Sequence, residues 1–309
     1  MPLRLPVEFL KVATRRSSWI LIATGAGLSL GLLSFAAWLI TSDGVWLKLF
    51  FDGPGVVLMV ALTAVEVWLS FSVRRAFVSD EPMHLAWTLI GVSAICDFLG
   101  TACVQWLSSG SPLNPLLRLP AWAQSTGQQL HDIGFVLGGT SRYALLAAGL
   151  LYVVRIYRLA GFPGRLAAID WILLFLVFAY VVNEFREVVV AFEHGKSLRW
   201  LEVLGWPVDP LLCLLLFQTR LLAHSIKSTG MGSIARCWRA FTIGVLFVWL
   251  GDLGNWAVLS GHLSWQWNSL SWYVWLPAAG AFAAAPAYQL EAINQAMDER
   301  RTRPPATAS

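Results

Sequence analysis

The amino-acid sequence predicts an all-α, polytopic transmembrane helical bundle of about eight helices, with both termini on the cytoplasmic side (N-in/C-in). Three observations predict it. Of 309 residues, 57% are hydrophobic and only 13% charged, roughly half the ~25% usual in soluble domains. A soluble chain of this length would still need a charged surface, so lipid must solvate much of this one. The second observation is a series of apolar segments approaching the ~20 residues that cross a ~30 Å hydrocarbon core. The third is the uneven placement of Lys and Arg between alternate connections.

The first segment, Ser18 to Thr41, follows Arg15-Arg16 and could be mistaken for a leader. Its apolar run exceeds the ~7–15 residues of a signal h-region, so it reads as a retained helix. The residues that accompany a twin-arginine signal do not follow the pair. Gly55 to Val73, His84 to Leu107 and His131 to Val154 continue the series. The second half adds Leu166 to Phe192, Val203 to Ala223, Arg239 to Ser260 and Leu270 to Leu290. The sixth is weakest, because Trp206-Pro207-Val208-Asp209-Pro210 interrupts its start. Only about 13 residues follow that interruption, so this segment enters at an angle or contains a break.

With the N-terminus inside, sixteen basic residues fall on the inner side: Arg4, Lys11, Arg15, Arg16, Arg74, Arg75, Arg155, Arg158, Arg165, Arg220, Lys227, Arg236, Arg239, Arg300, Arg301 and Arg303. Four fall outside: Lys48, Arg118, Lys196 and Arg199. Removing one helix would scramble this alternation, so the ratio supports count and orientation together. The net charge of +4 is thus a matter of membrane sidedness and not a nucleic-acid face. Short loops and inside-positive charge point to a bacterial inner (cytoplasmic) membrane.

Residues 1–299 read as a single transmembrane domain and 300–309 as a disordered cytoplasmic tail. Gly53 to Glu66 and Gly205 to Gln218 share a spacing, and Asp97-Phe98-Leu99-Gly100 loosely matches Asp252-Leu253-Gly254. These correspondences suggest a parallel four-plus-four repeat of the kind some transporters use. The longest connection, Ser108 to Gln129, is apolar and proline-rich and is expected to lie along the outer interface. Trp46, Trp106, Trp122, Trp200, Trp206, Trp256, Trp265, Trp267 and Trp272 also fall near the outer boundary. Interfacial anchoring explains them; an aromatic rim that holds a lipid or quinone is the functional alternative.

Ionisable residues carry the functional signal. Each costs at least ~2.5–3.5 kcal/mol near the bilayer centre, so each needs a reason. Glu66, Asp97, Arg142 and Asp252 fall about half-way along their helices and are expected to face the bundle interior, with Asn255 beside Asp252. One guanidinium cannot match three carboxylates, so a carboxylate left over, desolvated and near like charge, is expected to hold a proton. Such a group can carry a proton, donate to a ligand, or simply tie helices together. A second group lies higher: Asn183, Glu184 and Glu187 share one helix face with Arg186 at its edge, and Asp209 is a candidate partner. Its bland reading is an ion-pair network among solvated headgroups.

Four cysteines without a CxxC pair give neither a disulfide framework nor a zinc site. Cys96 and Cys103 share a face as small packing residues. The five histidines lie at helix ends or in loops, which disfavours transmembrane haem. No HExxH, GxSxG or phosphate-binding loop occurs, and no catalytic residue, metal or cofactor is nominated. These readings lean away from an enzyme. They favour, by a small margin, a carrier or channel handling protons or a small solute through buried carboxylates. A non-enzymatic sensor or accessory subunit of a larger membrane complex is the alternative. Expected partners are membrane lipids and either further copies of the chain or other membrane subunits.

Overall fold

The structure, a computed structural model, describes residues 7–107, 133–134, 136–162, 164–194, 207–227, 232–259, 261–263 and 268–302. Every regular element among the described residues is helical. Helix α1 spans Val7–Thr41 and α2 Val45–Phe50; a π-turn over Phe51–Gly55 leads into α3, Val56–Arg74. Helix α4 covers Pro82–Leu107, and a second π-turn, Leu137–Ser141, opens α5, Arg142–Leu159. Then come α6 (Ala168–Glu193), α7 (Val208–Lys227), α8 (Gly232–Leu259) and α9 (Asn268–Thr302).

Among the described residues six helices are long and apolar enough to cross a membrane, those of α1, α3, α4, α5, α6 and α8. This is a multi-pass integral membrane protein. Helices α7 and α9 occupy the remaining two expected segments but are more polar. The middle of α9 is buried at every position from Leu276 to Ala287, and a helix wrapped in protein needs no lipid-compatible face.

Helices α3, α4, α5, α7, α8 and α9 pack each on the next, and α9 returns to α3, which closes a ring of six. Helix α1 lies outside the ring on α9, and α6 lies outside it on α7. The outer two expose apolar faces, including Leu30, Leu33 and Ile40 on α1 and Trp171, Phe175 and Phe178 on α6. Such faces would aggregate in water and are at home in hydrocarbon.

Small residues set the close approaches, because packing rather than hydrophobicity holds helices together in lipid. Helix α9 presents Ala278, Ala279, Ala283, Ala284, Ala285 and Ala287 to its neighbours, all buried. A Cβ at Gly280 would sit 2.2 Å from Thr24 Oγ1, and one at Gly251 would sit 2.2 Å from Trp275 Nε1. Contacts of this kind run Gly31 to Tyr273, Thr24 to Gly280 and Ser17 to Glu291, so α1 and α9 are antiparallel. Gly100 meets Gly138 while Gly149 meets Ala86 and Ile90, so α4 and α5 are antiparallel too. One end of the bundle therefore collects Arg74, Arg158 and Arg236, and is called the basic end below.

Some boundaries differ from expectation. Helix α1 begins at Val7, not Ser18, because its first turns carry Lys11, Arg15 and Arg16, which apolar counting omits. Helix α7 is continuous from Val208, with Pro210 in its first turn, where a missing N–H leaves no helical hydrogen bond unmade. The stretch 203–206 lies outside the described residues, as do Ser108 to Gln129, Trp122, Trp200, Trp206, Trp265 and Trp267.

Candidate functional site

The ring encloses a charged centre. Helix α3 supplies Glu66, α4 supplies Asp97 and α5 supplies Arg142, which are 1%, 5% and 5% exposed. Arg142 Nη1 is paired with Asp97 Oδ1, and Arg142 Nη2 lies 3.5 Å from Glu66 Oε2. The second contact is a charge contact rather than a made hydrogen bond, given its length. Thr101 Oγ1, one turn along α4, lies 3.4 Å from Asp97 Oδ1.

Two rings complete the enclosure of the guanidinium. Arg142 Cζ lies 4.3 Å from the centroid of Phe282 on α9 and 5.4 Å from that of Tyr143. Both fall within cation–π range, an attraction worth about 2 kcal/mol or more once water is excluded. The backbone supports this position. The π-turn Leu137–Ser141 ends immediately before Arg142 and packs on α4 through the Gly100–Gly138 approach. π-Turns inside helices are frequent at functional positions because they re-aim the residues beside them.

The centre is incompletely satisfied. Glu66 Oε1 and Oε2, Asp97 Oδ2, and Arg142 Nε and Nη2 are buried without a hydrogen-bond partner among the described residues. Five such atoms around one ion pair stand out where more than nine in ten buried polar groups are normally bonded.

Asp252 on α8 accepts a hydrogen bond from Trp275 Nε1 at 3.2 Å. It lies within electrostatic reach of Asp209 and Glu184, and Tyr143 lies within reach of both Asp252 and the Glu66–Asp97–Arg142 centre. Asn255, one turn beyond Asp252, is half-buried, as are Asn183, Glu184 and Asp209; Arg186 is exposed. The side chain of Glu187 lies outside the described residues, as does that of Cys103. Acidic groups thus continue from the centre towards the end opposite the basic one.

Sequence reasoning missed Phe282, Tyr143, Thr101 and Trp275, because each is an ordinary helix residue until packing selects it. It also missed a second ion-paired cluster near the basic end. Asp170, fully buried at the start of α6, accepts from Ala167 N–H at 2.7 Å and pairs with both Arg220 and His224 of α7. His224 Nε2 is 2.8 Å from Asp170 Oδ2, and Arg220 Nε donates to Oδ1 at 2.5 Å. The four-residue spacing of Arg220 and His224 was the one available signal. This cluster clamps α6, the more loosely attached helix, to the ring. Asp170→Asn is expected to cost about 1.5–3 kcal/mol, the value of hydrogen bonds to charged groups, and to lower the thermal midpoint in detergent. An unchanged midpoint would show that the clamp holds nothing.

Among the described residues no group of His, Cys, Asp and Glu is arranged to hold a metal ion. No known family, curated protein or solved structure matches this chain.

Proposed function

We propose that the protein is a proton-handling carrier or channel, with the Glu66–Arg142–Asp97 centre as its site. The observation that carries this reading is the set of buried, unbonded polar atoms on two carboxylates that share one guanidinium. With both acids ionised the trio bears one unmatched negative charge in a low-dielectric interior. A single proton removes that charge, and because Arg142 faces both acids the proton has two seats, of which Glu66, with neither oxygen hydrogen-bonded, is the readier. Tyr143, Asp252, Asp209 and Glu184 extend the series of proton-exchanging groups away from the centre. A purely structural tie between helices would be expected to satisfy its own polar atoms.

The same reading makes α7 and α9 the remaining two of eight spans, with the basic end in the cytoplasm of a bacterium and the charged centre within its inner membrane. The excess of basic residues at that end supports this orientation.

The test is proton flux into proteoliposomes with a pH-sensitive dye inside. Asp97→Asn and Glu66→Gln each leave Arg142 one carboxylate, so both variants are expected to remain folded and monodisperse. Each is expected to lose flux by about tenfold or more, the factor that ~1.4 kcal/mol of added barrier supplies. Wild-type flux retained in both variants would remove the centre from the path.

One observation favours a second reading. An open apolar groove of 230 Å³ lies between α1, α2 and the first π-turn, lined by Leu30, Leu33, Ser34, Ala37, Trp46, Phe50 and Pro54. It suits the acyl chain of a lipid or a quinone tail, as a sensor or accessory subunit would need. Native mass spectrometry decides between them: a stoichiometric lipophilic molecule or partner subunit supports this reading, and a lone, empty, flux-competent chain supports the first.

A further inference from the structure

The acidic groups around the charged centre continue towards the end opposite the basic one. Towards the basic end the centre meets a stack of aromatic rings. Phe282 lies 6.1 Å from Phe241, Phe241 lies 5.9 Å from Trp238, and Trp238 lies 6.4 Å from Trp87, ring centroid to ring centroid. All four side chains are fully buried. Tyr157, near the end of α5, closes on Trp238 edge-on at 6.2 Å. These residues come from α4, α5, α8 and α9, so the stack crosses the ring from wall to wall.

Phe282 belongs to both assemblies. The guanidinium of Arg142 lies over its ring, and its edge fits against Gly244 of α8, where a Cβ would come within 2.9 Å of Phe282 Cε1 and Cζ. Its position is therefore set by the charge pair and by a glycine notch that admits no larger residue.

We propose that Phe282 is the gate residue of the charged centre: it seals the site from the basic end, and Arg142 holds it shut through the cation–π contact. The proposal rests on the transport reading of the Glu66–Arg142–Asp97 site and adds the sidedness of access to it. With the gate shut, protons reach the centre from the end where Asp252, Asp209 and Glu184 lie. Release towards the basic end requires Arg142 to leave the ring face. Groups in contact with Arg142 are Glu66 from α3, Asp97 from α4, Tyr143 from α5 and Phe282 from α9. Phe282 alone among them also touches the stack.

The experiment reads access and not transport. Ser93 is fully buried on α4, one turn from Asp97 towards the basic end. In a full-length chain with the four native cysteines replaced by Ala, Ser93→Cys places a thiol one turn from Asp97 on the basic-end side. A small membrane-impermeant thiosulfonate is then applied to vesicles of each orientation. The parent is expected to react faster from the end opposite the basic one. Phe282→Ala is expected to raise the rate from the basic end by about tenfold or more. Phe282→Tyr, which keeps a ring face for Arg142, is expected to stay shut. Should Phe282→Ala not fold, Phe282→Leu preserves apolar volume without the ring face and is expected to open in the same direction. An unchanged rate from the basic end in the folded variant overturns the proposal, as does equal opening by Phe282→Tyr. Because labelling needs no flux, absent wild-type flux with sided labelling would discard the transport reading while leaving the gate. Robust wild-type flux with no change in labelling would do the reverse.

Discussion

Replacing Arg142 with Met is expected to be the most damaging single substitution in the protein. The change keeps an unbranched stem of similar length and deletes the guanidinium, which leaves Glu66 and Asp97 buried beside each other with no cation. Breaking a buried pair in this way costs about 3–5 kcal/mol, because the remaining charge is stranded rather than returned to water. That is a large share of the ~5–15 kcal/mol by which folded proteins are usually stable. Here two carboxylates are stranded, so the upper end of the range applies. The variant is expected to aggregate on extraction, or to show a much lower thermal midpoint than Asp97→Asn or Glu66→Gln. The diagnostic step is the triple variant Arg142→Met, Asp97→Asn, Glu66→Gln. With every charge in the centre removed the stranding cost vanishes, and the protein is expected to regain most of its stability while remaining without flux. A single variant as stable as its parent would show that the centre is solvated and not buried. Flux in the triple variant would show that protons travel by some other route.

The contrast between these variants also shows what the sequence could and could not reveal. Charge inside an apolar segment is conspicuous because lipid makes it costly, so Glu66, Asp97, Arg142 and Asp252 could be singled out by hydropathy alone. Their common depth could be read as well, but not which of them meet. Depth along a helix is countable, but azimuth around a bundle depends on which helices are neighbours, and the ring order α3–α4–α5–α7–α8–α9 is not written in any local pattern. Asp252 illustrates the gap, since it sits at a countable depth yet packs against Trp275 and lies near Asp209 and Glu184. Phe282 illustrates it more sharply: one phenylalanine among seventeen, it acquires a role only because Arg142 lies over its ring. The helices themselves were legible where they face lipid, as in α1 and α6, and least legible where protein surrounds them, as in α7 and α9. Nothing local marks Asp170, and Arg220 reads as one more inside-positive charge, because no local pattern records that they meet across two helices. The short α2 and both π-turns left no periodic trace, being too brief to show one.

Gly100→Ala is expected to have the next largest effect, and it touches no charged atom. A Cβ at Gly100 would fall 2.4 Å from Gly138 N, 2.5 Å from Gly138 Cα and 2.6 Å from Gly134 O. All three are backbone atoms, which cannot rotate aside, so α4 and the start of α5 must separate. Overpacking of this kind costs about 1–3 kcal/mol and sometimes more. The wedge acts beside the charged centre, since Gly100 lies three positions after Asp97 and Gly138 four positions before Arg142. Separation there lengthens the Arg142–Asp97 pair, so flux should fall along with stability. The reciprocal substitution is the control. A Cβ at Gly138 would meet Gly100 Cα at 3.4 Å and nothing closer, which is ordinary contact. Gly138→Ala also removes the ~1 kcal/mol helix penalty of glycine. The expected order of thermal midpoints in detergent is therefore Gly100→Ala well below the parent, and Gly138→Ala level with it or above. Two glycines that face each other across one contact would look equivalent in sequence. Only the direction in which each would project its Cβ separates them. Equal midpoints for the two variants would mean that the helices do not approach at these residues, and with that the alignment of Arg142 on Asp97 would lose its support.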